Sequence, residues 1–339
     1  MELNQKGRRS FILPERPVLA AWSSIVGKKE AEGPLGACFD RRETDDYFGQ
    51  KTWEKAESHM QSLAMSTLLE KARLKPPEID LVCSGDLLNQ CISSSFSLRN
   101  TGMPALGLYG ACSTMAEGLL VSAMAVGGGF VRRAVAMTSS HFASSERQYR
   151  FPLGYGGQRT PTAQWTVTGS GAVLVSRSGR GPRIEACTLG AVVDRGIKDA
   201  NNMGAAMAPA AFETIATHLS DLGRKPSDYD LIVTGDLGLL GRELASELFR
   251  EAGIDMAGRY DDCGCMIFDP ETQDVHAGGS GCGCSAVVLC GKLLDQVKSG
   301  KLHRLLFCGT GALLSPVSTQ QGESVPGVCH AVSIIAEEA

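Results

Sequence analysis

Short apolar runs alternate with longer helical patterns along the whole chain. Leu81–Gly85 is a β-branched and apolar run that ends in Gly-Asp, and Leu231–Thr234 is another. Gly110-Ala111-Cys112-Ser113 opens an apolar helical stretch to Val126, followed by Gly128-Gly129 and the strand-like run RAVAM from Arg133. GAVLVSR at 171–177 and HAVSIIAE at 330–337 alternate as half-buried strands do. Strands separated by helical patterns of this kind predict βαβ units and a mainly parallel sheet.

The pattern occurs twice. DLVCSGDL from Asp80 and DLIVTGDL from Asp230 share five of eight residues at an offset of 150. Gly110 to Ser113, its helix and the strand from Arg133 match Gly281 to Cys284, an apolar helix through Leu294 and the strand from Arg304, without a gap, at an offset of 171. Internal repetition on this scale outranks other organisational signals. It predicts two like halves, 1–178 and 179–339, packed into one layered α/β/α/β/α unit. No GxGxxG follows a first strand, so a dinucleotide site has no support.

Composition narrows the function. With 339 residues, 43% hydrophobic, the chain can bury a large core. A net charge of -4 and a pI near 5.9 lack the basic footprint of a nucleic-acid binder. The apolar stretch Phe11–Leu13 is too short for a signal-peptide core. The tract from Met103 to Phe130 is broken by Glu117 and rich in Gly, Ala and Ser, which predicts a buried strand-turn-helix and no membrane span. Twelve cysteines without an export signal are expected to be reduced. Cys263/Cys265 and Cys282/Cys284 raise zinc, but structural zinc favours CxxC spacing and no histidine stands close by, so no metal or cofactor is expected.

GPLG (33–36), GDLLNQ (85–90), GACST (110–114), SSHFASSERQYRFPLGYGGQ (139–158), TVTGSGAV (166–173), MGAAMAPAA (203–211), AGGSGC (277–282) and TGALLSP (310–316) span most of the chain. On these strings the chain resembles the thiolase superfamily, nearest to ketoacyl-ACP synthase III. Within it, the chain is similar to the stage V sporulation protein AD family of endospore-forming bacteria. The resemblance implies a duplicated thiolase-like fold without demonstrated condensing activity. It implies binding of dipicolinic acid, free or with calcium, for uptake into the developing spore. It also implies membrane-embedded partners of the stage V sporulation A group, a peripheral position at the inner spore membrane, and a homodimer paired through sheet edges.

Cys112 lies where a strand turns sharply into a helix, a placement condensing enzymes use for acyl transfer. The helix N-terminus is expected to favour its thiolate. A nucleophile also needs a base. The histidine and asparagine that ketoacyl-ACP synthase III uses fall here on Gly235 and on Gly278-Gly279-Ser280-Gly281. Neither stretch can accept the proton or polarise a thioester. The expectation is therefore a ligand pocket without catalysis, with acyl transfer by Cys112, using His141 as base, as the alternative. A structural subunit is a third reading. For the ligand, Arg147 and Arg150 offer planar guanidinium groups to carboxylates. Tyr155 and Gln158 flank a glycine pair in the same segment, which reads as a loop whose backbone can approach a ligand closely. His141, Asp86 and Asn89 close strands at the edge where open α/β sheets bind ligands. Asp86 can equally cap the next helix, and its counterpart Asp236 shares that ambiguity. Asn202 and Met203 are open to an entrance role or to packing.

Overall fold

The computed structural model describes residues 4–149 and 158–337. The strands that form the main path of its large sheet, in chain order, are β1 (Val18–Val26), β2 (Leu81–Gly85), β3 (Ala105–Gly107), β4 (Arg133–Ser140), β5 (Gly169–Ser176), β6 (Arg183–Thr188), β7 (Leu231–Thr234), β8 (Tyr260–Asp262), β9 (Arg304–Ala312) and β10 (Gly327–Ile335). They line up as β8-β7-β9-β10-β6-β1-β5-β4-β2-β3. Read from either end, the order is the same motif. An edge strand lies parallel to the next (β3 on β2, β8 on β7), which lies parallel to a third (β4, β9). Two antiparallel strands follow, β5 and β1 or β10 and β6. The two runs join at one narrow seam, where Arg183 faces Val18.

The duplication extends to side chains. The Asp80 carboxylate accepts the backbone N–H groups of Arg132 and Arg133 at 2.8 and 2.9 Å. Asp230 accepts those of His303 and Arg304 at 2.6 and 2.8 Å. Arg73 and Gly223, at the repeat offset, both end long helices in the left-handed conformation, φ 55° and 62°.

Helices α1 (Trp53–Ala72) and α5 (Met203–Leu222) cover the outer faces, α1 on β1, β4 and β5, α5 on β6, β9 and β10. Between the sheet halves lie α3 (Thr114–Gly127) and α7 (Cys282–Val288). Helix α3 touches β2, β4 and β5 on one side and β9 and β10 on the other. Burial on both sides explains why Met115, Ala116, Leu119, Leu120, Ala123 and Val126 are all inaccessible and the tract reads as apolar all round. Among the described residues no helix is long and apolar enough to cross a membrane. The architecture is the expected thiolase-like α/β stack.

Two expectations change. The sheet is mixed and not mainly parallel, because the strand pairs at each end are parallel and those between them are antiparallel. The second central helix does run through Leu294, by way of a π-type turn at Leu289–Leu293 into Leu294–Lys298. The start of the segment read as a loop is helix α4, Phe142–Tyr149. His141 starts it, because its Nδ1 accepts the Ala143 N–H at 3.2 Å.

Several carboxyls are deeply buried. Glu30 accepts the Thr168 N–H, yet burial pushes its pKa up to about 7. Asp262 accepts the Leu237 and Gly238 N–H groups and is likewise pushed by burial to about 7. The folded state thus holds these protons more tightly than the unfolded chain. Stability is present at low pH and is lost as pH rises from the ordinary carboxyl range through about 7. Buried His218, lowered to about 3 by burial, works the other way but only below about pH 6.5. The thermal midpoint is therefore expected to fall by roughly a few degrees between pH 6.5 and 8. A midpoint that rises across that window in a buffered melting series would contradict the assignment.

Candidate functional site

At the elbow before α3, Ala111 adopts φ 50°, a left-handed conformation that costs a non-glycine residue energy. Hydrogen bonds lock it. Thr114 Oγ1 donates to the Ala111 carbonyl at 2.6 Å and accepts the Gly110 N–H at 3.1 Å; Ser113 Oγ donates to the Gly110 carbonyl at 2.7 Å. Strand β9 presses on the turn, and a Cβ at Gly311 would come within 2.4 Å of the Gly110 carbonyl oxygen. The elbow holds Cys112, 5% exposed, on the wall of a small, partly open cavity.

The thiol does not meet a histidine. The charge that acts on it most strongly is the Asp236 carboxylate, just past the end of β7. Asp236 accepts the Thr310 hydroxyl at 2.8 Å, the Gly281 N–H at 2.8 Å and the Ser280 hydroxyl at 3.3 Å. Burial raises its pKa to about 6, and these donors moderate the rise. For Cys112, burial and then the neighbouring carboxylate push the pKa well above the ordinary thiol value. The expected stabilisation of a thiolate by the helix N-terminus is thus outweighed by an anion facing the sulfur. At Gly235 a methyl group alone would lie 3.0 Å from the Thr310 nitrogen, so an imidazole has no room there.

The rest of the wall is phenolic and apolar. Tyr149 donates to the Leu87 carbonyl at 2.5 Å, which leaves its oxygen to accept from the Tyr109 hydroxyl at 2.7 Å. Burial raises both phenol pKa values, so both stay neutral. Leu87, Ala111, Met203, Ala312 and Leu314 supply apolar surface. Thr166 donates to buried Glu146 at 3.1 Å, and Ser145 completes that side.

The other residues singled out from sequence are distributed more widely. His141 Nε2 bonds the Asp46 carbonyl at 2.7 Å and faces a separate groove with Trp165; burial lowers its pKa. Arg147 pairs with Glu54 and lies over the Trp53 ring, 5.1 Å from its centroid. Asp86 caps the turn into the helix Ile92–Leu98, accepting the Leu88 N–H at 2.9 Å and the Ser94 N–H and hydroxyl at 2.8 and 2.7 Å. Asn89 and Gln158 are exposed and do not line the cavity. Arg150 and Tyr155 lie outside the described residues. Among the described residues no histidine lines the Cys112 cavity, and no three His, Cys, Asp or Glu side chains gather as metal ligands.

Sequence reasoning named Cys112 and Met203 but not Asp236 as the sulfur's partner, nor Tyr109, Ser145, Glu146 and Thr166 as wall. The repeat of Gly-Asp-Leu was the available signal for Asp236. It left undecided which aspartate caps a helix and which faces the cavity.

The chain matches the family model for stage V sporulation protein AD over residues 7–335. It is 44% identical over 326 residues to stage V sporulation protein AD of Bacillus subtilis (strain 168), covering 96% of each chain. Solved structures with the same fold include 3-oxoacyl-[acyl-carrier-protein] synthase III from Aquifex aeolicus VF5. It has a TM-score of 0.57 at 13% identity over 94% of this chain and 99% of that one. An OleA variant from Xanthomonas campestris gives 0.62 at 16% identity over 96% and 99%. At such identities these two carry the fold and not the chemistry. A match over nearly the full length and a relative of this identity place the chain in the stage V sporulation protein AD family.

Proposed function

We propose that this chain binds dipicolinic acid in the Cys112 cavity, without acyl transfer, as the ligand-binding member of a membrane-associated sporulation assembly that takes the acid into the developing spore. The observation that carries the non-catalytic part is the Asp236 charge that bears on Cys112. A Cys–His pair lowers the thiol pKa because the imidazolium stabilises the thiolate. A carboxylate in that position raises it, so the sulfur stays protonated and a poor nucleophile.

The cavity supports an aromatic ligand through the rings of Tyr109 and Tyr149 and its apolar remainder. No Lys or Arg is among the described lining residues. With Arg147 engaged by Glu54, the candidate for the carboxylates is Arg150, next in the chain after Tyr149. A bound calcium ion would serve the same end by cancelling ligand charge beside Asp236 and Glu146.

Acyl transfer remains the second reading, because the strained elbow keeps the sulfur at a helix entrance. A second copy of the chain is supported by the free sheet edge. Strand β3 pairs on one side only, with Leu106 48% exposed and Phe96 46% exposed nearby.

Titration calorimetry with dipicolinate, with and without calcium, is expected to show binding that Arg150→Ala weakens and Arg147→Ala leaves unchanged. No heat at any concentration would reject the ligand assignment. Incubation with acyl-CoA should leave the intact mass unchanged, and iodoacetamide should modify Cys112 slowly at pH 7.5 and faster after Asp236→Asn. A stable acyl adduct on Cys112 would establish the enzymatic reading instead. Light scattering should report a dimer that Leu106→Lys dissociates; a monomeric wild type would remove the edge-pairing proposal.

A further inference from the structure

The polar groups around the cavity are nearly all committed to partners within the protein. The Tyr109 and Tyr149 hydroxyls run in series to the Leu87 carbonyl. Ser280 donates to Asp236. Thr166 donates to Glu146. Ser145 is different. Its side chain is 2% exposed, it lines the cavity, and its Oγ has no hydrogen-bond partner among the described residues. Other buried hydroxyls share that condition, among them Thr67, Ser93, Ser122 and Ser285, but none of these lines the Cys112 cavity.

A buried hydroxyl without a partner is unfavourable, and native structures seldom keep one without a reason. Backbone geometry does not supply the reason here. The Ser145 N–H is already bonded to the His141 carbonyl at 3.1 Å, as a residue in the first turns of α4 should be. Ser145, Glu146 and Tyr149 then bring one face of α4 to the cavity, with the Ser145 oxygen itself just beneath the wall, at spacings that make helix neighbours meet.

We propose that Ser145 is the hydrogen-bond donor that reads the ligand of this cavity, and that the group it reads is a carboxylate or ring-nitrogen acceptor on the edge of a flat, largely apolar molecule. The flatness follows from the two phenol rings that share the cavity wall. The acceptor follows from the balance of groups, since the other wall hydroxyls are already donating elsewhere. The inference rests on the ligand-binding reading above, and it names the atom that confers selectivity within it.

The arrangement has a signature that a structural serine would not show. Removing an unpaired hydroxyl leaves nothing newly unsatisfied, so Ser145→Ala should fold as well as the wild type and melt at the same temperature or slightly higher. The same variant should bind dipicolinate about tenfold more weakly and show a smaller ligand-induced rise in melting temperature, because a hydrogen bond to a charged acceptor is worth at least that factor. Ser145→Thr, which keeps the hydroxyl, should recover part of the affinity. The measurement is a thermal shift and calorimetric titration of the full chain with dipicolinate, with benzoate as a flat acid bearing one carboxylate. Wild type and Ser145→Ala binding dipicolinate equally would overturn the role of Ser145 and leave the ligand-binding reading standing. A wild type that binds neither acid would overturn the ligand-binding reading itself. A variant that melts well below the wild type would show that the hydroxyl serves the fold, and would also overturn the proposal.

Discussion

One buried carboxylate gathers the strands and the second central helix of the C-terminal half beside the Cys112 elbow. Asp236 follows β7, yet its donors come from β9 (Thr310) and from the entrance of α7 (Gly281 and Ser280), and its charge bears on Cys112 at the elbow before α3. Taking an ionised carboxyl out of water is costly, and only a full complement of donors offsets the loss. Charge-assisted hydrogen bonds of this kind contribute about 1.5–3 kcal/mol each. Three donors are of the right order to hold the carboxyl inside while leaving its pKa above the ordinary value, at about 6. The same junction reaches the cavity, whose wall includes Ser280 and Cys112.

That coupling decides the character of the sulfur. In a fold whose solved relatives include condensing enzymes, the elbow, the helix entrance and the cysteine are all present. The helix N-terminus contributes only about half a unit of positive charge. The Asp236 charge, in an interior with little water to screen it, outweighs it. The position of the sulfur is itself set by the packing of β9 on the elbow.

The large-scale architecture was legible in the sequence, and the site was legible only in part. The repeats at offsets of 150 and 171 residues predict equivalent strands and equivalent central helices, and β2/β7 and β4/β9 occupy equivalent positions in the sheet order. Hydrophobic pattern carries that information because it reports burial. It does not report direction. Asp86 and Asp236 end equivalent strands with the same tripeptide, but Asp86 turns to the N–H groups of its own following turn and Asp236 turns across to Gly281. Arg147 has the chemistry of a carboxylate binder, and α4 points it at Glu54 and Trp53. Reading that segment as a loop hid the helix face on which Ser145, Glu146 and Tyr149 meet the cavity.

The duplication also explains why one cavity, and not two, is built around a thiol. The repeat register sets Cys112 against Gly283, and Ala111 against Cys282. The second elbow therefore places its sulfur one residue earlier, where it donates to the Ser139 carbonyl at 3.0 Å and is fully buried. At Gly283 a Cβ would come within 2.5 Å of both the Gly169 carbonyl oxygen and Ser140 Oγ, so a side chain equivalent to that of Cys112 is excluded there. Close packing of α7 against β4 and β5 fills the space that the first half leaves open. The asymmetry between two nearly equal halves comes down to that approach. Where the backbone of the second half comes close enough to require glycine the interior is solid, and at the first elbow Cys112 borders the cavity.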